Sequence, residues 1–574
     1  MIGAIADIGA DDTYDVIVAG AGAAGLSAAL FAAIAGRRAL VVERTEYVGG
    51  TTALSAGSTW LPSTQHATTV AGGAEDSLEN AERFLASVVA NHSSAAMRRA
   101  FLEAGARAVA TLERESEVHF RAYPTHPDYE QEHEGATLRG RALEPLPFDG
   151  RVLGRHLALV RPPIPEFLLL GGMMVDRTDI GHLLKIGRSV ASTKHAARIL
   201  ICYGLDRLTG SRRGSRLVMG NALVGRLLKS LIDRNVDIVT RATVATITRD
   251  ASGVTGLVVE GGGMRRTLLA RRAVVLAGGG FSRHPKRRAA MLGEPAPPYS
   301  PSAPGHTGEL QDLALALGAR FGEGAADNAY WAPCSVRQRA DGSTAVFPHF
   351  VLDRSKPGTV CIDGTGRRFV NEATSYHLFA RAMRDAAPER PAVPCYIVTD
   401  SEGLRKYGLG MVRMGTRDLS PFLADGYLVR GTTVRELADK LAIPADALAD
   451  TVARMNEFAR NGHDPDFGRG KTAYHRVNGD ASSRGPNPTL GQIAAPPFYA
   501  VRLWPGDIGA ATGLAVDTDA RVLGADGRPI PRLYACGNEA QSVMGGVYPA
   551  PGITLGPAIA FAWRAMQDAL DRND

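Results

Sequence analysis

Residues 14–25 read Tyr-Asp-Val-Ile-Val-Ala-Gly-Ala-Gly-Ala-Ala-Gly, and this stretch decides the fold. Its first half is apolar and β-branched, which is typical of a buried strand in a parallel sheet. An alanine-rich run to Ile34 predicts a helix, and residues 38–42 predict a second strand that ends at Glu43. A strand, a glycine-rich turn, a helix and a strand in this order predict a βαβ unit that binds a dinucleotide.

Each glycine of the turn has its own physical reason. Gly20 allows the tight turn, Gly22 lets the backbone approach a pyrophosphate, and Gly25 lets the helix pack close to the strand. The N-terminus of the helix then faces the phosphates. Glu43 lies roughly 20 residues further on, where an acid accepts hydrogen bonds from an adenosine ribose.

Further glycine-rich segments favour a flavin dinucleotide. Gly49 and Gly50 follow Glu43 and precede small hydroxyl residues, a pattern that resembles flavoproteins rather than nicotinamide enzymes. The strand-like residues 273–277 end in glycines, as at the return of the sheet to a flavin, and no second complete glycine fingerprint follows. The predicted cofactor-binding residues are Gly20, Gly22, Ala23, Ala24, Gly25, Glu43, Arg44, Gly50, Thr51, Thr52, Ser55, Ala56, Gly57, Val244, Ala277, Gly278, Gly279, Gly537, Asn538, Glu539, Thr554 and Leu555.

The composition excludes several classes of protein. A chain of 574 residues predicts two domains or more, and its net charge of +6 is too modest to indicate nucleic-acid binding. The five cysteines are scattered without metal-ligand spacing, which favours reduced thiols, no metal site and a cytoplasmic location. Residues 1–13 lack a secretory pattern, and no segment has the roughly 18 consecutive apolar residues of a membrane span.

A second motif lies near the C-terminus. Residues 545–557 read Gly-Gly-Val-Tyr-Pro-Ala-Pro-Gly-Ile-Thr-Leu-Gly-Pro, so the phenol of Tyr548 lies four residues before the amide of Gly552. A phenol O–H and a backbone N–H that converge on one point stabilise a carbonyl oxygen as it becomes an oxyanion. The sequence therefore predicts an oxyanion site just before a C-terminal helix.

Together these motifs resemble FAD-dependent enzymes of the fumarate reductase and succinate dehydrogenase superfamily, and most of all the 3-ketosteroid Δ1-dehydrogenases. The resemblance implies an α/β (α+β) fold, with a discontinuous Rossmann-like FAD-binding domain and an inserted mixed α/β substrate domain. It also implies non-covalent FAD, because residues 49–57 contain no histidine. The segments that carry the resemblance are 42–62, 306–309, 331–333, 357–358, 368–376, 505–509, 537–538 and 548–552.

Four positions favour one branch of this superfamily. Fumarate reductases have an arginine where Tyr376 stands, and a histidine and an arginine in place of Tyr548 and Gly552. Because a dianion needs cationic partners, the substrate is expected to be a neutral carbonyl compound. Ala550 replaces the serine of the related 4(5α)-dehydrogenases, which favours 1,2-desaturation.

The resemblance also implies the chemical roles. Tyr548 and Gly552 would polarise the C3 carbonyl of a 3-ketosteroid, Tyr376 would take the C2 proton, and the C1 hydrogen would leave as hydride to flavin N5. An unperturbed tyrosine has a pKa of about 10, so this base needs a pKa-lowering environment or a proton relay. Tyr129 is the predicted relay, with Tyr123 as the alternative.

Two other functions remain open from the sequence. One is a 4-ene-forming dehydrogenase or an enone reductase of the same fold, against which Ala550 argues. The other is an electron-transfer subunit without its own substrate, which would need neither Tyr376 nor Tyr548. If the protein is an enzyme of either kind, an external electron acceptor, quinone-like or of another type, is expected.

The domain limits follow from the motif positions. Residues 1–325 are expected to form the first part of the FAD-binding domain, residues 326–500 the substrate domain, and residues 501–574 the return segment. Helical patterns at 433–442 and 444–462 support the separate middle unit. The active site is expected between the two domains.

Residues 163–217 form a basic, amphipathic insertion in the first domain. Such a pattern is typical of a membrane-surface element, so a cytoplasmic protein bound peripherally to the inner face of the membrane is one interpretation. The other is a helical hairpin that packs on the FAD-binding domain or at a subunit interface. His126 and His133, in the loop of the relay tyrosine, are expected to be solvated.

Overall fold

The computed structural model describes residues 2–9, 12–70, 76–183, 185–208, 213–293, 299–483 and 485–571. In chain order, the strands are Ile2–Gly3 (β1), Thr13–Ala19 (β2), Ala39–Val42 (β3), Thr59–Trp60 (β4), Phe120–Ala122 (β5), Ala142–Pro145 (β6), Phe148–Asp149 (β7), Arg216–Leu217 (β8), Asp237–Val239 (β9), Thr243–Asp250 (β10), Gly253–Gly261 (β11), Met264–Leu276 (β12), Ala329–Gln338 (β13), Thr344–Pro348 (β14), Thr359–Ile362 (β15), Cys395–Asp400 (β16), Leu428–Gly431 (β17), Phe498–Ala510 (β18), Arg521–Leu523 (β19) and Pro529–Ala535 (β20).

The helices complete the inventory. The α-helices are Ala23–Ile34 (α1), Leu78–Val89 (α2), Ala95–Glu115 (α3), Arg177–Leu183 (α4), Val190–Leu208 (α5), Met219–Asp233 (α6), Pro285–Leu292 (α7), Glu309–Ala316 (α8), Tyr376–Arg384 (α9), Ser401–Tyr407 (α10), Ser420–Ala424 (α11), Val434–Leu441 (α12), Ala445–Asn461 (α13), Ala473–Asn478 (α14) and Leu555–Asp571 (α15). Short 3₁₀ turns lie at Ile5–Asp7, Thr52–Leu54, Ala67–Thr69, Ala90–His92, Gly150–Leu159, Pro165–Phe167 and Gly537–Glu539.

The first large sheet contains the predicted βαβ unit. Its main strand order is β1-β9-β3-β2-β12-β11-β10; β20 also pairs with β12, and β19 pairs with β20, which gives nine strands. Strand β2 lies between β3 and β12 and is parallel to both. Its side chains are covered on both faces, since Val16 and Val18 belong to one apolar cluster and Ile17 and Ala19 to another. The predicted strand, helix and second strand are therefore confirmed as β2, α1 and β3.

Helix α1 packs close to the end of β2 because its sequence is rich in alanine and has Gly25 where it meets Gly20. Nearly all of its residues are buried, and it contacts both α6 and α15. A Cβ atom on Gly25 would lie 1.9 Å from the carbonyl oxygen of Gly20, which leaves no room for a side chain. The close approach predicted for this glycine is thus confirmed, and it brings the N-terminus of α1 to the end of β2.

The second large sheet is antiparallel and follows in the middle of the chain. Its order is β14-β13-β18-β16-β15, and β17 pairs with β18. Helices α12 and α13 pack against it through an apolar cluster that includes Val360, Leu437 and Leu448. These two helices confirm the predicted helical patterns. Strand β18 runs through residue 500, where the sequence places a domain limit.

The described part of the 163–217 insertion packs on the rest of the protein, where Arg121 of β5 lies 3.8 Å from Asp176; residues 184 and 209–212 lie outside the described residues. Asp179 is buried and pairs with Arg216 at 2.7 Å and with His195 at 2.7 Å. Glu166 pairs with Arg339, which follows directly on β13, at 2.5 Å. The insertion therefore packs on the protein between β5 of the small three-stranded sheet and the end of β13 in the second large sheet.

A bulky residue at position 25 tests the packing of α1. Gly25→Val should lower the free energy of unfolding by about 1–3 kcal/mol, because its side chain would overlap the Gly20 carbonyl. The measurement is urea unfolding followed by circular dichroism. Gly204→Ala is the control, since a Cβ at that helical position meets no atom within 4 Å. Equal stabilities of the two variants would contradict the close packing.

Candidate active site

One cavity lies where the carboxyl ends of β2, β3 and β12 meet the second sheet and the insertion. All the residues that the sequence predicts for cofactor binding or chemistry line this cavity, apart from Gly25. Gly25 instead packs behind Gly20. The structure thus brings together residues from both ends of the chain, as the sequence predicts.

The glycine-rich turn forms one end of the cavity, and its geometry fits a dinucleotide. A Cβ on Gly22 would meet no atom within 4 Å, so the backbone there is open to a ligand. The Ala23 N–H donates to Thr52 Oγ1 at 3.1 Å, which ties the second glycine-rich segment to the start of α1. The Glu43 carboxylate accepts from the Ala21 N–H at 2.9 Å and is thereby fixed beside the turn.

Two residues at this end were missed by the sequence interpretation. Arg161 donates to Thr45 Oγ1 at 2.8 Å, and nothing in the sequence around it signalled a role. His306 lies 3.3 Å from Thr51 Oγ1 and lines the cavity. Burial lowers the pKa of His306 to about 4, so its imidazole is neutral at physiological pH. It belongs to the segment 306–309 that carries the family resemblance, which was the available signal.

Glu539 is a buried acid beside the third glycine-rich segment. Its carboxylate accepts from the Gly280 N–H at 3.0 Å. Burial raises the pKa of Glu539 to about 7, while hydrogen bonds from the backbone of Gly280, Gly279 and Gly278 act in the opposite direction. The acid therefore fixes the strand-end turn after β12 against the segment that follows β20.

Three tyrosines from distant parts of the chain meet on the opposite wall. Tyr129 donates a hydrogen bond to the Tyr376 hydroxyl at 3.3 Å. The ring centroid of Tyr548 lies 5.0 Å from that of Tyr376 and 6.0 Å from that of Tyr129. The hydroxyl of Tyr123 instead lies 3.1 Å from Ser58 Oγ. Of the two relay candidates, the structure brings Tyr129 to Tyr376.

Gly552 reaches the same wall through its backbone. Its φ is +93°, and a Cβ there would lie 2.4 Å from the Ser58 carbonyl oxygen, so only glycine fits. The Trp60 N–H donates to the Gly552 carbonyl at 3.1 Å and holds this turn in place. Within the described part of the chain, the Gly552 N–H has no protein acceptor, which leaves it available to a ligand.

Burial dominates the protonation of the three phenols. It raises the pKa of Tyr376 and of Tyr129 well above the ordinary value, and that of Tyr548 to about 12. All three are therefore protonated at neutral pH. A tyrosine base was expected to need either surroundings that lower its pKa or a proton relay. The surroundings of Tyr376 raise its pKa instead. The Tyr129 hydroxyl beside it is the neighbouring group that a relay requires.

A buried ion network fixes the loop that carries Tyr129. Arg141 pairs with Asp76 at 2.7 Å and with Asp128 at 2.9 Å, and all three side chains are at most 1% exposed. The Trp60 indole N–H donates to the other oxygen of Asp128 at 2.8 Å. Because Asp128 directly precedes Tyr129, this network sets the position of the phenol.

A second network fixes the segment that leads to Tyr376. Arg368 pairs with Glu372 at 2.7 Å and with Asp464 at 2.8 Å, and Arg469 pairs with Glu372 at 3.2 Å. All of these side chains are buried. Tyr376 is the first residue of α9, so the end of this segment determines where the phenol points.

The insertion contributes Ile164 and Arg177 to the cavity wall, which the sequence interpretation did not foresee. His126, expected to be solvated, also lines the cavity, with its ring centroid 4.8 Å from that of Tyr123. The expectation for His126 was wrong, because the loop folds inward to deliver Tyr129. Burial lowers the pKa of His126 to about 3, so it is uncharged.

Comparisons with known proteins agree with this geometry. Residues 15–555 match the FAD binding domain family. The chain is 36% identical over 558 residues to a 4-oxocyclohex-2-ene-1-carboxylate 5-dehydrogenase of Sinomonas cyclohexanicum, covering 96% of this chain and 93% of the relative. It is 31% identical over 568 residues to a 3-oxosteroid 1-dehydrogenase of Mycolicibacterium smegmatis, covering 97% of each. The chain belongs to this family of flavin-dependent dehydrogenases.

A solved member of the family has the same architecture. The crystal structure of 3-ketosteroid Δ1-dehydrogenase from Sterolibacterium denitrificans, in complex with 1,4-androstadiene-3,17-dione, superimposes with a TM-score of 0.90. It is 33% identical and covers 98% of this chain and 100% of its own. The predicted fold class, the FAD cofactor and the oxidoreductase class are thereby confirmed. No helix in the described residues is long and apolar enough to cross a bilayer.

Removal of the central cation of the Tyr129 network tests its role. Arg141→Met should lower the free energy of unfolding by about 3–5 kcal/mol, because it leaves Asp76 and Asp128 buried without a counter-charge. Thermal or urea unfolding of the FAD-bound protein measures the change. Arg107→Met on the exposed face of α3 is the matched control and should change stability by less than about 0.5 kcal/mol.

Proposed function

We propose that the protein catalyses FAD-dependent 1,2-desaturation of the A ring of 3-ketosteroids. The observation that carries this proposal is the convergence of Tyr548, Tyr376 and the free Gly552 N–H on one cavity wall, with Tyr129 beside Tyr376. This set provides two donors for a carbonyl oxygen and one group for an adjacent proton. An electron-transfer subunit without a substrate would use none of them.

The first step is polarisation of the ketone. Tyr548 has a pKa raised to about 12 and keeps its proton, so it donates a hydrogen bond to the C3 oxygen. The Gly552 N–H donates to the same oxygen. As negative charge develops there, both hydrogen bonds strengthen, which acidifies the hydrogens on the adjacent C2.

The second step is removal of the C2 proton. Because burial raises the pKa of Tyr376, its phenolate is scarcely populated. We propose that the hydrogen bond between the two hydroxyls reverses and that Tyr376 takes the substrate proton while its own proton moves to Tyr129 and the Tyr129 proton moves on to solvent, so that both phenols are neutral before and after the step. FAD, when bound, supplies the acceptor for the hydride that leaves C1. A pair of hydrogen atoms leaves the substrate in each turnover, so an external electron acceptor completes the cycle.

A second substrate class is favoured by specific observations. The relative that is 36% identical is named for a 4-oxocyclohexene carboxylate, which is also a cyclic ketone. Arg177 lies in the cavity wall, where a neutral steroid would need no cation. The same donors and the same base would serve such a monocyclic oxo acid.

The division into domains is part of this proposal. The nine-stranded sheet and its helices form the FAD-binding domain, and the six-stranded sheet forms the substrate domain. Residues 1–325, 326–500 and 501–574 remain the proposed segments, with β18 extending the middle unit to Ala510. The active site lies at the junction because the cofactor wall and Tyr376 come from different units.

We also propose that helix α5 contacts a membrane surface. Its outer face exposes Ile201 and Leu205, at 62% and 54%, beside Lys194 and Arg198. Apolar side chains flanked by cations fit an anionic lipid surface. Arg216 pairs with Asp179 inside the insertion, so the charge of Arg216 does not contribute to the outer face of α5. Contact at α5 would bring sterols, which partition into membranes, near the cavity.

The base assignment is tested by Tyr376→Phe. The variant should retain FAD and lose turnover by roughly 10²-fold or more, because the group that accepts the C2 proton is gone. Anaerobic bleaching of the flavin by androst-4-ene-3,17-dione and the mass of the product measure the activity. Tyr396→Phe, in the apolar cluster beside the second sheet, is the control and should turn over normally. Normal turnover by Tyr376→Phe would overturn the assignment.

Membrane contact is tested by flotation with anionic vesicles. The wild-type protein should float, and a variant that combines Ile201→Glu with Leu205→Glu should stay at the bottom, because charged residues then replace the apolar contact. Leu269→Glu, at an exposed position of β12, should float like the wild type. If the double variant floats equally well, α5 is not the contact.

A further inference from the structure

We infer that the cyclic ketone bound by this enzyme carries a carboxylate, and that Arg177 binds this carboxylate at the mouth of the cavity. The inference rests on the proposed function, because it places the carbonyl end of the same molecule at Tyr548 and Gly552. It revises the expectation of a neutral substrate. That expectation considered only the ketone end of the site.

The charged residues at the cofactor end of the cavity already have protein partners. Arg44 pairs with Glu309 at 2.9 Å. Arg161 donates to Thr45 Oγ1, and Glu539 accepts from the backbone of the strand-end turn. These charged side chains therefore stabilise the structure of the cofactor site.

Arg177 differs from these residues. Within the described part of the chain it forms no ion pair or hydrogen bond, although it lines the cavity. Two carboxylates lie in its neighbourhood, and both are engaged by Arg121: Glu144 at 2.6 Å and Asp176 at 3.8 Å. The Arg177 guanidinium thus presents several unused donors in a planar fork that matches a carboxylate.

The surroundings of Arg177 favour an anion. Burial raises the pKa of Tyr129 and of Tyr474, and the positive charge of Arg177 opposes this increase, so the charge is felt at the tyrosine end of the cavity. His126, on the same part of the wall, is neutral. The acids that line the cavity, Glu43 among them, lie at the cofactor end. A carboxylate near Arg177 would meet a positive charge, and the two neighbouring acids, Glu144 and Asp176, are each paired with Arg121.

Two sources offer this chemistry. One is a monocyclic oxo acid such as 4-oxocyclohexanecarboxylate, and the other is a 3-ketosteroid with a carboxylate on its C17 side chain. The methyl ester of each acid is a neutral analogue of nearly the same shape. The acid-to-ester ratio of kcat/KM therefore isolates recognition of the charge from recognition of the ring.

The test compares these four compounds in the FAD-bound wild type, Arg177→Gln, Arg177→Lys and Arg107→Gln, with phenazine methosulfate as electron acceptor. Arg177→Gln should lower the acid-to-ester ratio about tenfold or more for at least one pair, because a charge-assisted contact is lost. Arg177→Lys should restore part of the ratio. Arg107→Gln, exposed on α3 and outside the cavity, should keep the wild-type ratio.

Each outcome separates the inference from the proposed function. If Arg177→Gln slows acid and ester equally, the residue acts on the proton relay and the inference is overturned, while ketone desaturation stands. If the ratio falls for the monocyclic pair and neither steroid is turned over, the inference holds and the steroid proposal fails. If none of the four compounds is turned over, both fail.

Discussion

The hydrogen bond between Tyr129 and Tyr376 joins residues 247 positions apart, and the arrangement of the site depends on it. The phenol of Tyr129 comes from the loop between β5 and β6. The phenol of Tyr376 comes from the first turn of α9, which packs on the second sheet. A contact of this kind requires both units to hold their relative position within a fraction of an ångström. The protein meets this requirement with buried charge rather than with apolar packing alone.

The two ion networks have a common design. In the first, Arg141 lies between Asp76 and Asp128; in the second, Arg368 lies between Glu372 and Asp464. Buried ion pairs contribute little net stability, since desolvation offsets the attraction, but they tolerate few geometries. The first network ends at Asp128, directly before Tyr129, and the second ends at Glu372, four residues before Tyr376. The desolvation free energy that these buried ions cost is therefore associated with a defined position of the two phenols.

Much of this site could be predicted from the sequence, for identifiable reasons. The glycines of the cofactor end act through backbone geometry, which short motifs specify locally, and Gly552 is of the same kind. Arg161 and Arg177 could not be predicted, because their roles depend on contacts with distant parts of the chain: Arg161 meets Thr45, and Arg177 lies where the insertion folds back onto the cavity. The periodicity of apolar residues in the insertion indicated an amphipathic surface. This periodicity does not show that the first helix of the insertion begins at the mouth of a cavity. His126 was misjudged because loop polarity says nothing of the direction in which a loop folds.

The position of the insertion at the cavity wall has a consequence for how such enzymes diversify. The tyrosines for which we propose catalytic roles belong to segments that are held by buried ions, where most substitutions would disturb the fold. Arg177 and Ile164 belong to an added segment with an exposed outer face and its own internal pairing around Asp179. Selection can therefore alter this segment residue by residue without disturbing the buried ion networks, which would change the ring systems that the proposed active site admits.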